Sequence, residues 1–178
     1  MIRLFAALSP PGDIAQALAG LQTGLRGARW RPLETLHITL RFFGEVDERR
    51  AEEIATQLNA AAVRPFDLTL AGAGCFGEGD RIRAVWTGVA DSPSLGRLAA
   101  RCETAGRRAG CAAETRNFAP HLTLAYLKQP DPDQVAAWIA VNNLFRSQLF
   151  RVTRFGLYSS WPGEAGSRYE LERFYPLL

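Results

Sequence analysis

Two histidines occur in the 178 residues, and each opens the same tetrapeptide: His37-Ile38-Thr39-Leu40 and His121-Leu122-Thr123-Leu124. Side chains of an extended strand alternate between its faces. His37 and Thr39 therefore share one face, and Leu36, Ile38 and Leu40 share the other. His121 and Thr123 stand against Leu122 and Leu124 in the same way. Each strand is expected to hold to a core by its leucine face and to present an imidazole and a hydroxyl opposite. A single histidine on a strand is ordinarily structural. Two in matching contexts, with none elsewhere, point to allocation.

Opposed imidazoles suit phosphoryl chemistry. An ordinary imidazole pKa of ~6.5 lets one ring be neutral and the other protonated near pH 7. The neutral ring can take a proton from an attacking water, and the protonated ring can give one to a leaving alkoxide. The hydroxyls of Thr39 and Thr123 can donate to the equatorial phosphate oxygens, where charge builds. The scheme requires no metal, and two histidines without a third ligand at suitable spacing make a poor zinc site. No metal and no other cofactor are expected.

The elements that must position these groups follow from pattern. Residues 2–8 read as a buried strand stopped by Pro10-Pro11, and Ile14, Leu18, Leu21 and Leu25 predict a helix over 12–26. The breakers Gly24, Gly27 and Pro32 then open a loop holding Trp30. The first motif predicts a strand over 36–43 bounded by Gly44; Asp47 caps a helix over 48–62. Residues 66–75 and 82–90 read as strands around Gly77-Glu78-Gly79-Asp80. Ser92 or Ser94 caps a helix over roughly 94–109 that ends near Gly110. The second motif predicts a strand over 119–127. Asp131 or Asp133 starts a helix to about 142. Two last strands, 147–159 and 167–175, flank the loop Trp161–Gly166.

Strand, helix, His-x-Thr strand, helix and paired strands fill the first half; a helix, a His-x-Thr strand, a helix and paired strands fill the second. The expected fold is α+β: two pseudo-symmetric lobes, each an antiparallel-rich sheet with helices on its outer face, enclosing a central cleft. No long Ser-, Gly- or Pro-rich linker divides the chain, so residues 1–178 are expected to form one bilobal domain. The composition, 47% apolar and 22% charged, excludes a disordered, collagen-like or coiled-coil chain. A net charge of +3 is compatible with a nucleic-acid ligand without indicating one. Three cysteines, Cys75, Cys102 and Cys111, show neither a disulfide nor a metal pattern, and no stretch is apolar enough to span a bilayer. The expectation is a cytoplasmic monomer with no membrane partner.

With these motifs the sequence resembles the 2H phosphoesterase superfamily, and within it the RNA 2′,3′-cyclic phosphodiesterases, also called 2′-5′ RNA ligases. The resemblance runs over nearly the whole chain: Ile2–Leu8, Trp30–Val46 (WRPLETLHITLRFFGEV), Phe76, Arg83–Val89, Phe118–Leu124, Leu157–Ser160, Gly166 and Tyr169. It implies hydrolysis of an RNA 2′,3′-cyclic phosphate end to a 2′-phosphate, with 2′-5′ ligation as a reverse side activity. It implies His37 as proton donor, His121 as the base that activates water, and Thr39 and Thr123 as phosphate ligands. The implied partner is RNA with a cyclic phosphate end, or a cyclic nucleotide. Two alternatives stand beside it: a non-catalytic RNA-end or nucleotide-binding protein, and a small-nucleotide cyclic phosphodiesterase without RNA preference.

One departure matters. Relatives often continue the second motif as His-x-Thr-Leu-x-Arg, and here Tyr126 takes that place. A tyrosine hydroxyl offers a hydrogen bond but no charge at neutral pH. Tyr126 and Arg41 complete the phosphate-binding candidates, Arg41 because strict alternation sets it on the His37/Thr39 face. Trp161, Tyr158 and Phe43 are the candidates for stacking a base, drawn from a group that includes Trp30 and Phe42. Arg81 and Arg83 are further cations that can flank the cleft, while Arg107-Arg108 suit a helix C-terminus.

Overall fold

The computed structural model describes residues 1–164 and 166–178. In chain order the elements are β1 (Ile2–Leu8), α1 (Gly12–Leu18), β2 (Ala28–Trp30), β3 (Ile38–Val46), α2 (Glu48–Gln57), β4 (Phe66–Leu68) and β5 (Leu70–Phe76). There follow β6 (Ala84–Val89), α3 (Pro93–Arg108), β7 (His121–Leu127), α4 (Pro132–Asn142), β8 (Phe150–Val152), β9 (Arg154–Trp161) and β10 (Arg168–Pro176).

The helix starts obey their capping residues. Asp47 accepts from the Arg50 amide at 2.8 Å, Ser92 from Leu95 at 3.3 Å, and Asp131 from Asp133 at 3.1 Å. Proline at the first turn of α3 and α4 reinforces two of these starts. The helix expected over 12–26 is shorter. It ends at Leu18 and tightens into a 3₁₀ turn over Ala19–Leu21. Gly24 and Gly27, both at positive φ, then redirect the chain into β2, a short strand the breakers had hidden. The run 66–75 divides at Thr69, and 147–159 divides at Thr153, because β4 and β8 leave the main sheet to pair with each other, Phe66 opposite Val152.

The main sheet runs β10-β9-β1-β3-β7-β6-β5, with β2 on the edge of β7. Its neighbours are antiparallel throughout. Between β3 and β7 the described residues make one pair, Ile38 with Leu122, after which the strands part. The sheet is therefore two lobes hinged at the leucine faces of the two motifs, which confirms the α+β class. The lobes are not the two halves of the sequence, however. The pair β5–β6 joins β7, and the pair β9–β10 joins β1 and β3. Each half of the chain lends its paired strands to the other half's motif.

Helices α2 and α3 pack on the β1/β3 lobe, and α4 packs on β5. Trp138 of α4 donates from Nε1 to the Leu21 carbonyl at 3.1 Å and so ties α4 to the turn after α1. The core passes through the hinge: Leu36, Ile38, Leu122 and Leu124 are each no more than 2% exposed. Burying such side chains contributes roughly 1.5–3 kcal/mol apiece. This fixes which face of each motif strand looks away from the core. Among the described residues no helix is long and apolar enough to cross a membrane.

Candidate active site

Both motif strands keep the alternation their sequence demands. In each, the leucine positions are buried while His37, Thr39, His121 and Thr123 are only partly so. The rings are fixed by the same local device. Nδ1 of His37 lies 2.7 Å from the Thr35 carbonyl, and Nδ1 of His121 lies 2.8 Å from the Ala119 carbonyl. A carbonyl can only accept, so each Nδ1 carries the proton and donates. Each Nε2 is left free, as a lone pair in the neutral ring or a second donor in the charged one.

Aromatic rings brace each imidazole. His37 packs against Phe5 at 5.0 Å between centroids and meets the edge of Tyr169 at 5.1 Å. His121 meets Phe76 edge-on at 4.6 Å, with Trp86 at 6.3 Å. Glycines make room for two rings nearby. A Cβ on Gly74 would stand 2.3 Å from Trp86, and one on Gly156 would stand 2.6 Å from Tyr158.

The pKa of His37 is held below the ordinary imidazole value. The main cause is loss of water around the ring; the charges of Arg31 and His121 act in the same direction, while the Thr35 carbonyl opposes them. His121 is thus near enough to His37 for its charge to act on that ring. A cavity of about 500 Å³ opens beside His121 and Thr39, walled by Phe42, Phe76, Phe118 and Arg83. Among the described residues, no three His, Cys, Asp or Glu side chains converge as a metal site would require.

Two candidates do not sit where alternation predicts. Strand β3 carries irregularities against β1: Ala7 pairs with Thr39, Ala6 with Arg41, Phe5 with Phe42 and Leu4 with Gly44. Leu40 and Phe43 are the unmatched extra residues, so strict alternation is lost twice. Gly44, at φ +83°, lies within the strand and does not bound it. Arg41 is consequently buried at 8% exposure and pairs with Glu103 and Glu114 on the α3 side. One Nη also donates to the Ala112 carbonyl at 2.6 Å. Its charge is engaged by these acids, and all three residues line the cavity beside Thr39 and His121. Phe43 is likewise 8% exposed, packed against Gly106 of α3, and no base can stack on it. Phe42, at 42% exposure, is the ring that faces the cavity.

Tyr158 stacks on Phe5 at 5.5 Å and hydrogen-bonds Ser9 through its hydroxyl at 2.8 Å. It borders a separate recess of about 400 Å³ with Ser9 and Phe174, a recess that touches neither imidazole. Trp161 is 37% exposed and donates to Ser159 at 3.0 Å. Tyr126 is 40% exposed and lies under the guanidinium of Arg31, 5.6 Å from its ring centre.

Comparison with known proteins identifies the family. Residues 10–162 match the profile of the 2′-5′ RNA ligase superfamily. The chain belongs to that superfamily. The RNA 2′,3′-cyclic phosphodiesterase of Escherichia coli K12 is 31% identical over 173 residues, covering 94% of this chain and 92% of the relative. The enzyme of the same name from Methanothermobacter thermautotrophicus is 29% identical over 176 residues, covering 94% and 95%. Among solved structures, TT0787 of Thermus thermophilus superposes with a TM-score of 0.81 at 25% identity, covering 98% of this chain and 97% of that one.

Pattern reading passes over two residues beside His37. Arg31 lies outside both motif strands, six residues before His37, with no periodicity to mark it. Phe5 is hidden for the opposite reason: in the apolar run Leu4–Leu8 of β1 it looks like any core residue.

Proposed function

We propose that the protein hydrolyses the 2′,3′-cyclic phosphate at an RNA end to a 2′-phosphate, without a metal, by acid–base catalysis between His37 and His121. The observation that carries this reading is the matched locking of both rings, Nδ1 to a carbonyl two residues back, with a threonine two residues on. A water oxygen attacks phosphorus while Nε2 of neutral His121 takes its proton. The P–O3′ bond breaks and O3′ leaves with a proton from Nε2 of His37. One water is consumed and a 2′-phosphate with a 3′-hydroxyl results. The hydroxyls of Thr39 and Thr123 donate to the equatorial oxygens as their charge grows.

The low pKa of His37 fits the donor role once substrate is counted. In the free protein the ring favours the neutral form. A phosphate anion bound beside it opposes the Arg31 charge and restores the proton. Binding is then coupled to proton uptake. Phe42, Phe118 and Arg83 beside the cavity offer rings and a cation to the nucleoside and its neighbouring phosphate.

The test is hydrolysis of an RNA oligomer ending in 2′,3′-cyclic phosphate, assayed with EDTA present. A 2′-phosphate end is expected, with a bell-shaped pH profile. Formation of a 3′-phosphate, binding without turnover, or activity only after a metal is added would overturn the reading.

A further inference from the structure

The molecule buries two arginines, and they are treated oppositely. Arg41 is 8% exposed and sits between two carboxylates, Glu103 and Glu114. Arg31 is more buried, at 6% exposure, and among the described residues it has no ion pair. Among the same residues its Nη2 has no hydrogen-bond partner. A guanidinium shut away from water without a counter-charge is costly, and proteins retain one where an anion comes to meet it.

The surroundings hold this cation in place without neutralising it. The Arg31 amide donates to the Leu124 carbonyl at 2.8 Å, and its own carbonyl accepts from Gln22 at 2.8 Å. The backbone is thereby pinned where β3 and β7 part. The guanidinium lies over the ring of Tyr126, at 5.6 Å, and over that of Tyr169, at 5.4 Å. Tyr126 belongs to the β7 lobe and Tyr169 to the β10 lobe, so the cation spans the hinge. Ring faces attract a cation and leave its N–H edge free. Tyr169 also meets the edge of His37, which puts the cation one ring away from an imidazole.

We infer that Arg31 is the phosphate-binding cation of this site, its unpartnered N–H edge donating to an oxygen of the substrate phosphate at the fork between the lobes, next to His37. The inference rests on the phosphodiesterase reading for its substrate. It adds a specific division of labour: the two motifs supply protons and hydroxyls, and the segment before the first motif supplies the charge. It also accounts for Tyr126, which acts as a platform under the cation.

Three variants test it: Arg31→Gln removes the charge, Arg31→Lys keeps it without the fork, and Arg31→Gln with Tyr126→Arg returns a guanidinium beside the vacated place. Each is measured for hydrolysis of the cyclic-phosphate RNA end, for affinity toward adenosine 2′-monophosphate, and for His37 titration by NMR. For R31Q, kcat/KM is expected to fall about a hundredfold to a thousandfold, with a parallel loss of nucleotide affinity. The His37 pKa is expected to rise, because a charge that lowered it is gone. R31K is expected to lie between, with His37 nearer its wild-type value, and the double variant is expected to recover part of the loss.

Wild-type hydrolysis and affinity in R31Q would overturn the inference while leaving the phosphodiesterase reading intact. So would a loss of activity with nucleotide affinity and His37 titration unchanged, which marks a merely structural arginine. A wild-type protein that binds the nucleotide through Arg31 but does not hydrolyse RNA would uphold the cation and overturn the activity. Failure of both in the wild type would overturn both.

Discussion

His37 and His121 make the same hydrogen bond to the carbonyl two residues back, but the lobes around them differ. His37 is closed in by Phe5 and Tyr169, under the field of Arg31, and its bond to Thr35 is partly buried. The bond of His121 to Ala119 is exposed, and its ring borders the open cavity. A repeated motif has thus been housed twice, once sheltered and charged and once open. On the proposed mechanism the difference suits two distinct tasks: a proton donor controlled by the bound phosphate, and a base within reach of water. The near-symmetry of the sequence motifs conceals this, because the asymmetry comes from residues outside them.

Removing the imidazoles should have the largest effect. His37→Ala and His121→Ala are each expected to lower kcat by about 10²–10⁴, the usual contribution of one acid–base group. The double variant should fall little below the weaker single one, since the two rings serve one transfer. The comparison sharpens if a leaving group far more acidic than a ribose hydroxyl is substituted. Such a substrate should rescue H37A and not H121A. Rescue of H121A instead would exchange the roles assigned to the two lobes.

The threonines come next. Thr39→Val and Thr123→Val each remove one donor at nearly constant volume, and a loss of about a hundredfold in kcat is expected for each. Losses within a factor of a few of one another would mean that the phosphate sits centrally. If only one variant is impaired, the phosphate is held by a single lobe, and the paired-lobe arrangement fails.

A contrast in stability separates the two buried arginines. Arg41→Met leaves Glu103 without its cation and Glu114 with Arg116 alone, and both acids are partly exposed. A loss of about 1–3 kcal/mol in unfolding free energy is expected, below the cost of stranding a fully buried charge. Affinity for adenosine 2′-monophosphate should stay within about threefold of wild type, because that guanidinium is already engaged. A tenfold loss would return Arg41 to the phosphate site.

That contrast also shows where the sequence is legible. The imidazoles and hydroxyls are readable because strand alternation is a local rule, and β3 and β7 obey it over the residues that matter. Arg41 and Phe43 are misread a few residues beyond His37, since the bulges at Leu40 and Phe43 are set by pairing with β1. The exchange of paired strands between lobes is invisible for a related reason: strand order is a long-range property. Arg31 escapes because a buried unpaired charge is defined by what does not surround it. The helix caps at Asp47, Ser92 and Asp131 are readable because capping, like alternation, is decided within a few residues.

The smallest expected effect is on stability against pH, and it reports directly on the shelter around His37. The folded pKa of this ring is below the ordinary 6.5. Above pH 6.5 the ring is mostly neutral in folded and unfolded chains alike, and the difference has little effect. As pH falls below that value, the unfolded chain binds a proton that the folded ring resists. The unfolded state then holds more protons, so stability declines with falling pH until the folded pKa is reached. Glu114 acts in a lower window: its hydrogen bond with Arg116 holds its carboxyl at about 2 against an ordinary 4.5, so its contribution fades only below about 4.5. Urea unfolding between pH 7.5 and 5 therefore isolates the histidine. The wild type should lose more stability over that interval than His37→Asn, and R31Q should lose an intermediate amount because part of the depression has been removed. Equal slopes in all three would show that the ring of His37 is not sheltered, and the contrast between a sheltered and an open lobe would not survive.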